Sequence, residues 1–507
     1  MLLWAVLAVP VGVYVPLEGL AIAGAILVLP LRPGRWLRRL VVLAAAVILF
    51  LALADRGTGA AFARPFNPIL DLHLLTSGWH LLSGSVGVPT AVLFIALALL
   101  AFVAALAGLA AGLSGLARLP KIIVRPIGIV LIALAAIGMA ASSAMLPPAV
   151  ASLAASQGMV ARVETLVAAT RELAAFEQDL VFGAGLPNGE GLLSALAGKN
   201  VLVVFVESYG RSAIEDPRYR GTIAPRLSAI DQELANSGFG VRSAWLGSPT
   251  VGGQSWLAHA TLLSGLNVDS QVRYERLMAS RRDSLNERFR AAGWRTVAVM
   301  PAITMDWPEA RWFGYDAVYA RDDLGYRGAP FNWVTMPDQY TLSALQRLEL
   351  SRADGPPVMA EIALISSHAP WTPIPPLLDW DDIGDGAVFT PYAAMGDTPE
   401  TVWADPDCIR TQYVLAVDYA LQTLGSFIAT EVDEDTVLVI LGDHQPAPIV
   451  TGEGASRDVP VHIVAKDPAV LAAIDGWCFT QGMEPEALAP SWPMQEFPAR
   501  FLAAFSR

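Results

Sequence analysis

The chain has 507 residues, of which 54% are hydrophobic and 16% charged, with 47 acidic side chains against 34 basic ones. An average soluble protein is roughly 25% charged, and the deficit is uneven: residues 1–150 hold nine basic and three acidic side chains, the remainder 25 and 44. A single soluble globule is thereby excluded, and so is a nucleic-acid binder, because the acidic remainder repels phosphate backbones.

In chain order, residues 1–31 are apolar but interrupted by Pro10, Pro16 and Glu18. They read as one kinked span or as two short helical pieces. A cleaved signal peptide fits poorly, since no basic residue precedes the apolar run and further spans follow. Residues 40–54 with their flanks, 88–116 and 126–148 read as spans, each near the 20 apolar residues that cross about 30 Å of hydrocarbon. Basic residues cluster at 32–39 and 118–125, which assigns both connections to the cytoplasm and the loop 56–87 to the outside. About four spans then deliver everything beyond residue 150 to the side of the membrane away from the cytoplasm, making a multi-pass protein. In the outer loop, PILDLHLLTSGWHLLSG is amphipathic and carries His73, Trp79 and His80, a composition suited to the membrane interface.

Residues 150–180 have helical periodicity and read as a connecting helix, and GAGLPNGEG (183–191) breaks the pattern as a hinge. The expected organisation is a transmembrane domain over 1–150, a connecting helix and hinge over 151–195, and an extracytoplasmic catalytic domain over 196–507. Cys408 and Cys478 are the only cysteines, so neither a disulfide scaffold nor a cysteine-rich metal site is possible. Two separate buried thiols are the favoured reading, with a bridge permitted in an oxidising compartment.

Beyond Lys199 the texture changes. NVLVVFVE (200–207), TVAVMP (296–301), VMAEIALIS (358–366), TVLVILGD (436–443) and VPVHIVAK (459–466) are continuous apolar strands of the kind found in parallel sheets covered on both faces. Helices are predicted between them at 223–237, 255–264, 281–292, 338–350 and 409–430. The fold class is therefore a helical transmembrane bundle followed by an α/β domain with a mostly parallel sheet sandwiched by helices. Such sheets bind ligands outside the carboxyl ends of their strands. That rule selects Glu207, the Ser366-Ser367-His368 run, and Gly442-Asp443-His444.

Glu207, Asp443 and His444 bring two carboxylates and an imidazole to one edge, a set suited to a divalent metal ion. In GSPTVGGQSWLAHATLLSG (247–265), Ser255 stands at a predicted helix start, where free N–H groups favour an anion. It is either an N-cap or a nucleophile activated by the metal. Thr250 is its rival, and His259, one turn further on, reads as a supporting or packing residue. His368 in SSHAPW is a candidate cation or donor for a substrate phosphate or leaving oxygen. In MDWPEARWFGYD (305–316), Trp307, Arg311 and Trp312 suit a phosphate and a glycerol or sugar face. His462, inside an apolar strand, reads as structural.

The order strand-Glu, Gly-rich turn with Ser and helix, strand-Ser-His, strand-Gly-Asp-His resembles the alkaline phosphatase and sulfatase superfamily over residues 200–466. The likeness is nearest to its membrane-anchored phosphoglycerol and phosphoethanolamine transferase branch, which includes lipoteichoic acid synthase. The resemblance implies that Glu207, Asp443, His444 and Ser255 ligate one Mn, Mg or Zn ion, that Ser255 stands in for the family's Thr nucleophile, and that His368 binds substrate. Trp307 is similar to a Trp lining the glycerol phosphate pocket. The family's Arg two residues later is Glu309 here, leaving Arg311 as the candidate substitute. No modified Cys or Ser motif of the sulfatase type is present, which disfavours sulfate-ester hydrolysis. The implied activity is transfer of a phosphoryl-alcohol headgroup from a membrane phospholipid donor to a glycan or lipid acceptor through a phospho-serine. A phosphodiesterase, phosphatase or sulfuric-ester hydrolase of the same superfamily is the alternative, and a non-catalytic envelope-assembly module is the third reading.

Overall fold

Apolar residues in runs of more than twenty build long helices, and the computed structural model describes them within residues 15–143, 151–152, 154–182, 185–352 and 354–506. The chain divides into two compact units, Met1–Gly59 with Arg64–Ala175, and Ala60–Ala63 with Phe176–Arg507. The first contains α1 (Leu17–Val28), α2 (Leu31–Phe62), α3 (His73–Val86), α4 (Val88–Arg118) and α5 (Lys121–Ser143), and α6 (Ala154–Phe182) follows. Among the described residues, three helices, Leu31–Phe62, Val88–Arg118 and Lys121–Ala140, are long and apolar enough to cross a membrane. The span expected at 40–54 thus extends in both directions. The opening stretch up to Tyr14, the last residues of the span expected at 126–148 and the domain boundary expected at 150 lie outside the described residues.

α1 is too short to span a bilayer alone, and it packs on α5 through two glycines. A Cβ on Gly24 would stand 2.7 Å from the Gly128 carbonyl, and one on Gly128 2.8 Å from the Gly24 carbonyl. Small residues at such a crossing let two backbones approach closely enough for dispersion to hold them. Lys121 Nζ donates to the Ile26 and Leu27 carbonyls, each at 3.1 Å, satisfying the open end of α1.

The second unit is an α/β domain. Its sheet consists of β1 (Asn200–Val206), β2 (Gly240–Gly247), β3 (Arg295–Met300), β4 (Ala317–Ala320), β5 (Val358–Leu364), β6 (Thr436–Gly442), β7 (Asp458–Ala465), β8 (Thr480–Gln481) and β9 (Ser491–Pro493). The strand order is β8-β2-β7-β6-β1-β5-β3-β4, with β9 also on β2. Strands β6, β1, β5, β3 and β4 are mutually parallel. The sheet is mostly parallel, as expected, and the run at 459–466 is its antiparallel member among the five apolar strands read from the sequence: β7 pairs antiparallel with both β6 and β2. Its apolar run comes from burial on both faces, and burial carries no direction.

β1 makes the two-sided burial plain. Leu202, Val204 and Val206 enter one core with Tyr219, Ile223 and Leu227, whereas Val201, Val203 and Phe205 enter another with Leu257, Leu263 and Phe289. Each fully buried aliphatic side chain contributes about 1.5–3 kcal/mol before conformational entropy is subtracted. The principal flanking helices are α7 (Pro217–Asn236), α8 (Ser255–Ser264), α9 (Gln271–Met278), α10 (Leu285–Ala291), α11 (Asp338–Leu345) and α12 (Pro406–Thr430). Both cysteines are free and exposed, against the expectation of buried thiols.

His462 on β7 is fully buried, as are its partners Ser243 and Tyr209. Its Nδ1–H donates to Ser243 Oγ at 2.7 Å, Ser243 donates onward to the Gly482 carbonyl, and the Tyr209 hydroxyl donates to Nε2 at 3.3 Å. This chain of donors suits a neutral imidazole, and burial pushes its pKa down to about 3. The unfolded state therefore binds the extra proton first. Stability from this residue is full above about pH 6.5 and is lost as pH falls toward 3. Thermal unfolding of the full chain in detergent is expected to lose about 2 kcal/mol on going from pH 7 to pH 5 through this residue, and His462→Gln is expected to flatten that slope.

At the end of β6, a Cβ on Gly442 would lie 1.9 Å from the Tyr209 carbonyl oxygen. Because that contact is backbone, no rotamer relieves it. Gly442→Ala is expected to cost about 3 kcal/mol or more in denaturant unfolding, a larger penalty than Ala at an exposed site.

Candidate active site

Three adjacent strands create the site. The register pairs Val206 of β1 with Gly442 of β6 and with Leu364 of β5, so the next residues along each strand meet at one edge. Glu207 and Asp443 follow β1 and β6 directly and are 8% and 1% exposed, while His444 is 1% exposed. One ligand atom from each of the three lies within 4.8 Å of the others, forming a candidate metal site.

The surrounding hydrogen bonds aim these groups. Asp443 Oδ1 accepts the backbone N–H of Ser208 at 2.8 Å and of His444 at 2.6 Å. Ser208 Oγ donates to Glu207 Oε1 at 3.0 Å, and Ser208 itself holds a left-handed φ of 56°. His444 Nδ1 donates to the Gln445 carbonyl at 2.9 Å, which leaves Nε2 facing Glu207 at 3.3 Å and Asp443 at 3.7 Å. Fixing one ring nitrogen on a carbonyl is the usual way a ligating histidine is oriented.

Burial and charge then work against one another. Burial opposes ionisation of Glu207, yet His444 beside it holds its carboxyl far below the usual range. Asp443 is pushed up to about 7 by burial and by the charge of Glu207. Burial disfavours the imidazolium of His444, but Asp443 and Glu207 raise it to about 9. Two buried carboxylates therefore share one proton-dependent partner. Oxygen and imidazole donors with an excess of negative charge fit a divalent cation.

Ser255 completes the cluster. Its Oγ donates to Glu207 Oε2 at 3.0 Å and lies 3.2 Å from His444 Nε2. Gly252, Gly253 and Gln254 precede it with φ of 74°, 141° and 64°, a backbone path that only glycine follows without strain. Ser255 is the first residue of α8, not its N-cap; Gln254 holds that position without a side-chain capping bond. The serine hydroxyl is thus free of helix capping and turned to the carboxylate. The rival Thr250 donates its hydroxyl to the Gly253 carbonyl at 2.8 Å and takes no part in the cluster.

A cavity of about 520 Å³ opens beside Ser255 and is lined by His368, Trp307, Glu309, Glu207 and Asp443 among others. His368 is exposed, on a turn held by buried Asp338, whose Oδ1 accepts the Ile365 and Ser366 N–H groups at 2.7 and 2.9 Å. Burial raises the Asp338 carboxyl to about 6. Ser367 Oγ donates to the Glu207 carbonyl at 2.6 Å, tying this turn to β1. Arg311 is exposed on the helical turn Ala310–Phe313 and does not line the cavity, whereas Glu309 does. A four-residue turn separates their directions, which linear proximity alone concealed.

One group escaped the sequence reading. His259 Nδ1 lies 2.6 Å from Glu361 Oε1, the Tyr315 hydroxyl bonds Glu361 Oε2, and the His259 ring stacks on Phe205 at 3.8 Å. The signal was a single carboxylate inside the apolar strand VMAEIALIS, which survives burial only when paired.

A family model described as Sulfatase matches residues 199–458, just over half of the chain. No curated protein matches the sequence. Among solved structures, the lipoteichoic acid synthase LtaP from Listeria monocytogenes is 17% identical, with 57% of this chain and 70% of that chain covered and a TM-score of 0.37. The Streptococcus pyogenes phosphoglycerol transferase GacH in complex with sn-glycerol-1-phosphate is 12% identical, with 67% and 91% covered and a TM-score of 0.37. The phosphonate monoester hydrolase of Agrobacterium radiobacter is 15% identical, with 60% and 72% covered and a TM-score of 0.36. On the extent of the family match, the chain belongs to the sulfatase family.

Proposed function

We propose that the protein is a membrane-anchored transferase that moves a phosphoryl-alcohol headgroup from a phospholipid to an acceptor hydroxyl on an envelope glycan or lipid, working at the outer face of the membrane. The observation that carries this reading is the Ser255 hydroxyl, 3.0 Å from Glu207 and 3.2 Å from His444 at the mouth of a lined cavity. Three membrane-capable helices in the same chain support a lipid donor.

Glu207, Asp443, His444 and Ser255 would hold one Mn, Mg or Zn ion, which supplies positive charge to a phosphate oxygen and favours the serine alkoxide. Ser255 Oγ forms a bond to phosphorus as the bond from phosphorus to the diacylglycerol oxygen breaks. The serine proton is lost to solvent, and His368 gives one proton to the departing oxygen, so the count balances. In the second half the acceptor hydroxyl bonds phosphorus, its proton returns to His368, and Ser255 leaves and is reprotonated. The N–H groups at the start of α8 favour the added negative charge.

Ser255→Ala is expected to lower diacylglycerol release from labelled phospholipid by about 10³-fold or more and to abolish the covalent adduct seen by intact-protein mass spectrometry. An unchanged rate would overturn the assignment. Glu207→Ala and Asp443→Ala are each expected to reduce metal content, measured by elemental analysis of the purified full chain, from about one ion per chain to background.

A further inference from the structure

Building on the transfer reading, we propose that the donor headgroup ends in an ammonium group, as in phosphatidylethanolamine, and not in an uncharged polyol. The cavity beside Ser255 has no Lys or Arg among its described lining residues. Apart from the metal-site carboxylates it holds Glu309 and Glu361, set among Trp256, Tyr274, Trp307 and Phe313.

The aromatic wall is packed, with Trp307 5.5 Å from Phe313 between ring centres. Ring faces carry negative quadrupole density and attract a cation within about 6 Å. Glu361 is only 1% exposed, and His259 and Tyr315 occupy both of its oxygens. It is committed to these two partners and is not free to bind. Glu309 is half-buried, and no hydrogen bond or ion pair engages its carboxylate among the described residues. It is therefore the acceptor left for an N–H donor.

A polyol hydroxyl can also donate to Glu309, but an uncharged group gains nothing from the negative field of a carboxylate set among ring faces, which is what distinguishes an ammonium here. The amide that lines this cavity is already used: Gln271 Oε1 accepts from Trp256 Nε1 at 3.0 Å, and its Nε2 donates to Glu275 at 3.2 Å. A divalent cation offsets Glu207 and Asp443 but leaves Glu309 to set the field at the aromatic wall. A zwitterionic headgroup answers both ends of the cavity, phosphate at the metal and ammonium at Glu309.

The test uses the full chain with its metal in vesicles of equal phosphatidylethanolamine and phosphatidylglycerol, and reads the mass added to Ser255. The phosphoethanolamine adduct is expected to dominate. Glu309→Gln is expected to lower its formation about tenfold while changing the phosphoglycerol adduct less than about twofold, and Glu309→Asp to restore part of the preference, which separates recognition from a folding defect. Equal or preferred phosphoglycerol adduct would overturn this inference and leave the transfer reading standing. No adduct and no diacylglycerol from either lipid would overturn the transfer reading and this inference with it.

Discussion

Two carboxylates buried side by side are the constraint around which the catalytic domain is arranged. An ionised carboxylate removed from water costs several kcal/mol unless its charge is met, and Glu207 and Asp443 are both nine-tenths or more buried within reach of one histidine. The protein meets part of that cost with the Ser208 and His444 N–H groups and the Ser208 hydroxyl. The His444 imidazole meets more of it, and the same donor set could hold a divalent cation. Membership of the sulfatase family, whose chemistry depends on a divalent ion, agrees with what the electrostatics allow.

The centre of the sheet supplies the precision. Parallel strands all end on the same side, so β6, β1 and β5 deliver Asp443, Glu207 and the His368 turn without any long excursion of the chain. Gly442 lets β6 lie against the Tyr209 backbone, and Asp338 fixes the start of the His368 turn. Ser255 comes from elsewhere, at the head of α8, and arrives through three consecutive positive-φ residues. Of the three, only Gln254 carries a side chain into that region, so the backbone strain sits immediately before Ser255.

Much of this was legible in the residues, for identifiable reasons. A carboxylate directly after six apolar residues, as at Glu207, has few bland explanations, and the same holds for Asp443-His444 after β6. The central parallel strands β1 and β6 follow from unbroken apolar runs rich in β-branched residues. Other features were hidden. β2 (GVRSAWLG) has neither a continuous apolar run nor a regular alternation and gave no strong signal, while the antiparallel direction of β7 depends on pairing, which its own residues do not encode. Arg311 stands on a helical turn outside the cavity lining, a direction that its spacing from Trp307 does not encode, and the exposed Cys408 and Cys478 reflect local packing that no spacing rule captures. Glu361 was passed over because a charge within an apolar strand reads as an interruption until its partners, distant in sequence, are seen.

The strand-end geometry also bears on the order in which this molecule matures. Glu207 and Asp443 are separated by most of the catalytic domain in sequence, yet they are joined through Ser208 across 235 positions. Contacts of such separation form late and slowly, because a long loop must close first. A divalent ion held as proposed would thus be captured only after β6 has docked beside β1, when nearly the whole domain has emerged and folded. Loading of that ion would then act as a checkpoint on assembly, because an incomplete or misregistered chain lacks the second carboxylate.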